Sequence, residues 1–489
     1  MLFNSALYGV FLALAYFVYW LLRKREGGRV LFLVVASYVF YSYGTFDAAR
    51  DAESASPGTA PLGPLPWAAL CLGIIFVGSS LDYGLGIWIG RTEDPRKRRA
   101  LLLVSITYYL GVLAFFKYFN FAVDTWVDAL RLLGIHVEPV HVRVALPFGI
   151  SFFTFETMSY TIDVYRREIV PCRRYTDYLC FVAFFPHLVA GPIVRPRAML
   201  PQFRAPLRFR DDEQLRGLFL IGQGLLKKIV IGDTLAVNLV SRAFASPERY
   251  SSLEMLVAVY GYAFQIYADF SGYTDVALGS AKLFGLELPK NFDRPYLSTN
   301  LQDFWRRWHI SLSTWLRDYL YVPLGGSRGA PWKTYRNLFL TMLLGGLWHG
   351  ASWNFVLWGA LHGTGLAVVR VYQRAGGAPW PRVLSTFFTF QFVCVAWVFF
   401  RAPTFDHARL VFVRLAEGTT GAANLAPRVL VTLAGAAVLH LTSRRALDRV
   451  RDWVVMRPAA VQGAVLAAIF YVLHLAAAAK PEPFVYGQF

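Results

Sequence analysis

The stretch GGLWHGASWN, Gly345 to Asn354, sets one imidazole among glycine and tryptophan, with eight uncharged residues before it and fifteen after. The flanking runs Asn337 to Trp348 and Phe355 to Val369 are apolar; Arg336 precedes the first, and Arg370, Arg374 and Arg382 follow the second. Cytoplasmic loops carry the excess of Lys and Arg in membrane proteins, so both flanks belong on the cytoplasmic side and the segment reads as a hairpin. The twelve residues from Asn337 to Trp348 reach roughly 18 Å at about 1.5 Å each. That is short of the ~30 Å hydrocarbon core and places His349 at the turn, deep in the membrane. Gly345, Gly346 and Gly350 permit close backbone approach there.

The rest of the chain supports a bilayer setting. Of 489 residues 56% are hydrophobic and 16% charged, more apolar surface than a water-soluble core hides. Runs near the length of a spanning helix, roughly 20 residues, recur at Ser5 to Leu22, Val30 to Gly44, Trp67 to Gly90, Ala100 to Phe121 and Ala145 to Tyr165, with others through to Ala459 to Ala479. The opening MLFNSALYGV lacks the positive n-region of a signal peptide and reads as a retained first helix.

The net charge of +18 is distributed as a membrane protein distributes it, and argues against nucleic acid as a partner. Successive loops carry +3 (Arg23 to Arg29), −2 (Thr45 to Pro66), +3 (Arg91 to Arg99), −1 (Ala122 to Arg143) and +3 (Arg166 to Arg174), which places the N-terminus outside the cytoplasm. Arg195 to Arg216 is again +3. The intervening run Tyr178 to Val194 contains Phe185-Pro186 and Gly191-Pro192, which break helices, so it reads as re-entrant. The expected fold class is an all-α polytopic membrane protein: about ten transmembrane helices, re-entrant hairpins and an interfacial amphipathic helix. A single membrane domain is expected over 1–489, with a motif-bearing core at about 100–370 and C-terminal helices over 383–479.

The interfacial helix is read from DFWRRWHISLSTWLRDYLYVPLGGSR. Trp305, His309, Leu312 and Leu316 follow one helical face, and Arg306, Ser313 and Arg317 share another. His309 then faces the interior, so that two imidazoles approach it from neighbouring elements. His362 lies 13 residues past His349, about 20 Å away on a continuous helix, and reads as structural. His136, His141, His187, His407, His440 and His474 have no convergent companions.

G-x-x-x-x-G-K-[ST] does not occur, which removes the local support for an ATP-driven pump. No two histidines have metal-ligand spacing on one helix, so no metal is expected. The four cysteines show no paired spacing. Asp269 and Asp275, inside the run Met255 to Leu283, are expected to be ion-paired within the bundle. Lys227 and Lys228 are oddly deep, and either line a cytosolic cavity or belong to a helix that starts later. Arg306 and Arg307 could clamp donor phosphates or form a solvated basic face against anionic lipid. A neutral imidazole beside such sequence can take a proton from a hydroxyl as that hydroxyl attacks an acyl group. A transporter without acyl chemistry would also use intramembrane Asp, Lys and His.

The blocks LPFGISFFTFETMSYTIDVYRRE (Leu146 to Glu168), FFPHLVAGPIVRP (Phe184 to Pro196), YADFSGYTDVALG (Tyr267 to Gly279), Arg294 to Arg328 with WRRWHISLSTWLRDYLY, and LGGLWHGASWNFVLWGALHG (Leu344 to Gly363) resemble the membrane-bound O-acyltransferase family. The bacterial alginate O-acetyltransferase branch is the most similar. The resemblance runs from Met1 to at least Gly363. It implies His349 as the catalytic histidine, His309 as a second active-site residue, and a helical bundle with cytosolic and outer funnels meeting near His349. It also implies acetyl-CoA as the cytosolic acyl donor with no tightly bound cofactor, and an exported polysaccharide as acceptor. Periplasmic acetyltransferase proteins would be partners, and the bacterial inner membrane the location. Within the same chemistry, the alternative acceptors are peptidoglycan or a teichoic acid receiving D-alanine.

Overall fold

A computed structural model of the chain describes residues 3–55, 58, 62–142, 145–189 and 191–476. The Pro/Ala/Gly-rich outer stretch Ala52 to Pro66 and the end of the loop at Arg143 are thus only partly covered. The last three residues of the expected C-terminal run to Ala479, and Lys480 beyond it, lie outside the described residues. Among the described residues there are helices and no strand. Among the described residues six helices are long and apolar enough to cross a bilayer: Glu26–Ser54, Pro64–Arg91, Pro95–Leu132, Trp353–Arg374, Arg382–Arg401 and Ala459–Ala476. Ala6–Leu21 and Pro427–Leu441 are shorter apolar helices.

The chain forms two compact units, Met1–Arg210 with Ser280–Leu288, and Asp211–Gly279 with Pro289–Phe489. In the first, helix Ile150–Tyr165 is buried along nearly its whole length, including Thr154, Glu156, Thr157, Ser159, Thr161 and Asp163. Buried polar groups need partners: Thr157 and Ser159 donate to carbonyls of their own helix, Glu156 accepts the Val194 N–H, Thr161 pairs with Ser105, and buried Arg98 donates to the Tyr165 carbonyl. The run Tyr178 to Val194 is broken as its prolines require. Helix Tyr175–Ala183 stops before Phe184, a single turn Phe185–Leu188 follows, and the segment around both is buried.

In the second unit, helix Asp211–Leu225 runs into π-helical turns at Leu226–Asp233 and Ala236–Val240. It crosses the 32-residue helix Ser252–Leu283 backbone against backbone: a Cβ at Gly224 would stand 2.4 Å from the Gly272 carbonyl oxygen. That crossing explains the deep lysines. Lys228 Nζ lies 2.6 Å from both Asp233 and Asp269, and Lys227 Nζ 2.6 Å from Asp275. The expected ion pairing of Asp269 and Asp275 is therefore present, and Lys227 and Lys228 each have a carboxylate.

Candidate active site

The hairpin read from GGLWHGASWN is formed by helices Pro331–His349 and Trp353–Arg374, with Gly350, Ala351 and Ser352 between them. The first helix has 19 residues, not the twelve counted from Asn337, because Pro331 opens it two turns earlier, as proline favours at a first position. His349 is its last residue and is buried. Close approach holds the two helices together. A Cβ at Gly346 would meet the Phe355 carbonyl oxygen at 2.3 Å and the Gly359 Cα at 2.9 Å, and one at Gly359 would meet the Met342 carbonyl oxygen at 2.5 Å.

His309 sits where the expected amphipathic helix breaks. Leu301–Arg307 and Ile310–Leu316 are separate helices, and His309 between them has φ 43° and ψ 55°. This corrects the continuous helix. A residue with a side chain in left-handed conformation costs on the order of 1–2 kcal/mol, and here Asn291 offsets it. The Asn291 carbonyl accepts the Ile310 N–H at 2.9 Å, and its Oδ1 accepts the Ser311 N–H at 3.1 Å and the Ser311 hydroxyl at 2.7 Å. The apolar face survives the break, since Trp305, His309, Leu312 and Leu316 are all buried.

Because Asn291 Oδ1 is an acceptor, its 3.3 Å contact with His309 Nδ1 makes that nitrogen the protonated one, and Nε2 carries the lone pair. Burial pushes the His309 imidazole down to about 3, so the ring is neutral and its one N–H is engaged. It can accept a hydrogen bond at Nε2; it cannot polarise a carbonyl there.

Both histidines pack against one indole, that of Trp348. Trp348 lies 6.2 Å from His309 and 5.0 Å from His349, ring centre to ring centre. His349 is further enclosed by Trp358 at 5.1 Å and Phe400 at 5.3 Å. His362 joins the same cluster: it contacts Trp358 at 4.7 Å, and Trp305 Nε1 donates to its Nδ1 at 3.3 Å. The 20 Å separation assumed one continuous helix, whereas the chain reverses at Gly350 and both His362 and His349 contact Trp358.

Arg307 is held by Asp303 at 2.8 Å within its own helix, and Arg306 is exposed. Among the described residues no group of three or more His, Cys, Asp or Glu side chains could hold a metal ion. Sequence reading also missed a buried pair in the first unit, His187 Nδ1 and Glu156 Oε1 at 3.1 Å. Both residues lie in quoted blocks, but nothing in their spacing signals that they meet.

The second unit thus buries His309, His349 and His362 around the indoles of Trp348 and Trp358. The model of the MBOAT, or membrane-bound O-acyltransferase, family matches residues 62–402, and the chain belongs to that family: it is an O-acyltransferase. Among its relatives, the probable alginate O-acetylase AlgI of Azotobacter vinelandii is 41% identical over 82% of this chain and 74% of its own length. The protein of the same name from Pseudomonas aeruginosa is 40% identical over 83% and 73%. The peptidoglycan O-acetyltransferase of Helicobacter pylori is 33% identical over 93% and 85%.

Proposed function

We propose that this enzyme takes an acetyl group from acetyl-CoA on the cytosolic side and delivers it across the bacterial inner membrane for O-acetylation of an exported polysaccharide such as alginate. Periplasmic acetyltransferase proteins complete the transfer as partners. The observation that carries the reading is the shared contact of His309 and His349 with Trp348, which sets two imidazoles from separate segments against one indole. His349 acts as general base on the hydroxyl that receives the acyl group. His309 orients, accepting at Nε2 an N–H or O–H of a substrate while Asn291 fixes its ring. The identity of about 40% to alginate O-acetylases over four-fifths of the chain supports the acetyl group and the alginate-like acceptor.

The similarity to a peptidoglycan O-acetyltransferase over 93% of the chain favours a second acceptor, cell-wall sugar, with the same acetyl chemistry. Membranes containing the enzyme, supplied with radiolabelled acetyl-CoA and either alginate oligosaccharide or peptidoglycan fragments together with the partner proteins, separate the two. Label in neither acceptor, with active partners present, rejects the proposal.

A further inference from the structure

His362 is fully buried, and its two ring nitrogens have different states. An indole nitrogen only donates, so the 3.3 Å contact from Trp305 Nε1 makes His362 Nδ1 an acceptor and leaves the ring proton on Nε2. No protein acceptor meets Nε2 among the described residues. Its surroundings are aromatic: Phe304 stacks at 6.0 Å, Trp305 stands at 5.2 Å and Phe392 at 5.7 Å. Buried donors rarely stay unfilled, so a ligand or a water completes this one. One indole, that of Trp358, lies against both His362 at 4.7 Å and His349 at 5.1 Å.

We infer that His362 Nε2–H holds the carbonyl oxygen of the acyl group as it is transferred. The inference rests on the acyl-transfer reading above and supplies what that reading lacks, since the N–H of His309 is already engaged by Asn291. The acceptor hydroxyl oxygen bonds to the acyl carbon, its proton passes to His349, and the C=O electron pair moves onto oxygen, where His362 Nε2–H meets it. When that pair returns, the C–S bond of the donor breaks; the sulfur leaves with the electrons and takes the proton from His349, giving ester and free thiol. His362 keeps its own proton throughout, as a neutral imidazole polarising a carbonyl does. Trp305 is a positioning residue that keeps the proton on the correct nitrogen.

The test uses the full-length enzyme in membranes with radiolabelled acetyl-CoA, alginate oligosaccharide and the active partner proteins, with rates expressed per folded molecule from the monodisperse peak in detergent. His362→Phe keeps a ring and removes the donor; kcat should fall about 100-fold, the scale of losing one such donor, with the donor KM changed less than about threefold. His362→Gln, which retains an N–H, should recover at least about tenfold of that loss. Trp305→Phe, which leaves His362 in place without its proton lock, should lower kcat about tenfold at an unchanged donor KM. Equal rates for His362→Phe and His362→Gln, or a Trp305→Phe enzyme as fast as the parent, would overturn the assignment. The parent's own rate separates the two levels: no transfer by the parent sinks the acetyl-CoA reading, whereas the ratios among variants decide His362.

Discussion

Replacing Gly346 by alanine tests whether the hairpin's close approach is what assembles the site. On an open helix that change stabilises by up to about 1 kcal/mol, since alanine loses less backbone entropy than glycine. At Gly346 the new methyl would stand 2.3 Å from the Phe355 carbonyl oxygen and 2.9 Å from the Gly359 Cα, backbone atoms that cannot rotate away. Ordinary contact begins near 3.4 Å, so the helices Pro331–His349 and Trp353–Arg374 must part by about an ångström. Overpacking of that kind costs roughly 1–3 kcal/mol, which outweighs the gain in propensity. Because His349 is on one helix and Trp358 and His362 are on the other, the same displacement pulls the cluster apart, and an error of about 1 Å in a reacting geometry costs about 100-fold in rate. Acetyl transfer from labelled acetyl-CoA by membranes, together with the detergent unfolding temperature, reads both effects. Gly435, with nothing within 4 Å of a Cβ, is the control, and Gly435→Ala should leave the rate unchanged and raise stability by about 0.5–1 kcal/mol. A Gly346→Ala enzyme with transfer within about threefold of the parent would refute the reasoning, because the site would then tolerate a separated hairpin.

His349→Ala should abolish acetyl transfer while the amount of folded protein in the membrane stays near normal; loss of both in step would return His349 to a packing role. The depressed His309 pKa has a definite sign. Above about pH 6.5 the ring is neutral whether folded or not, but below it the unfolded chain binds a proton that the folded ring refuses until about pH 3, so stability is lost as pH falls. The slope approaches about 1.4 kcal/mol per pH unit, or about 2 kcal/mol between pH 6.5 and 5. A His309→Gln enzyme should lack that part of the acid loss in detergent unfolding scans, and equal slopes would exclude His309 as its source. For the topology, cysteines introduced at Arg96 and Ser327 should resist a membrane-impermeant thiol reagent added to intact spheroplasts, and labelling of Ser327→Cys from outside would invert the placement of the His309 segment. The outer reference positions, Ser56 and Glu482, lie outside the described residues and should label.

Much of this architecture was legible because the membrane writes length and charge into sequence. The hairpin came from two apolar runs with arginines at both outer ends, and the broken segment from Phe185-Pro186 and Gly191-Pro192, where backbone chemistry forbids a continuous helix. His309 shows where such signals stop. Trp305, His309, Leu312 and Leu316 recur as on one helix, and all four are buried, yet the helix breaks at His309 itself. Periodicity reports which side chains face inward, and inward-facing side chains are compatible with a kinked path as well as a straight one. What bends the path is Asn291, 18 residues earlier, whose carbonyl and side chain capture the N–H groups of Ile310 and Ser311. No local pattern announces that capture. The same bend turns the ring proton of His309 towards Asn291, and so decides which chemistry that imidazole can perform. His362 was misjudged for a related reason, because thirteen positions of separation become a shared contact with Trp358 once the chain reverses at Gly350. In both cases the missing information was the direction of the backbone between two correctly chosen residues. The polar atoms left over by that geometry, rather than the count of histidines, define what the site can do to a carbonyl.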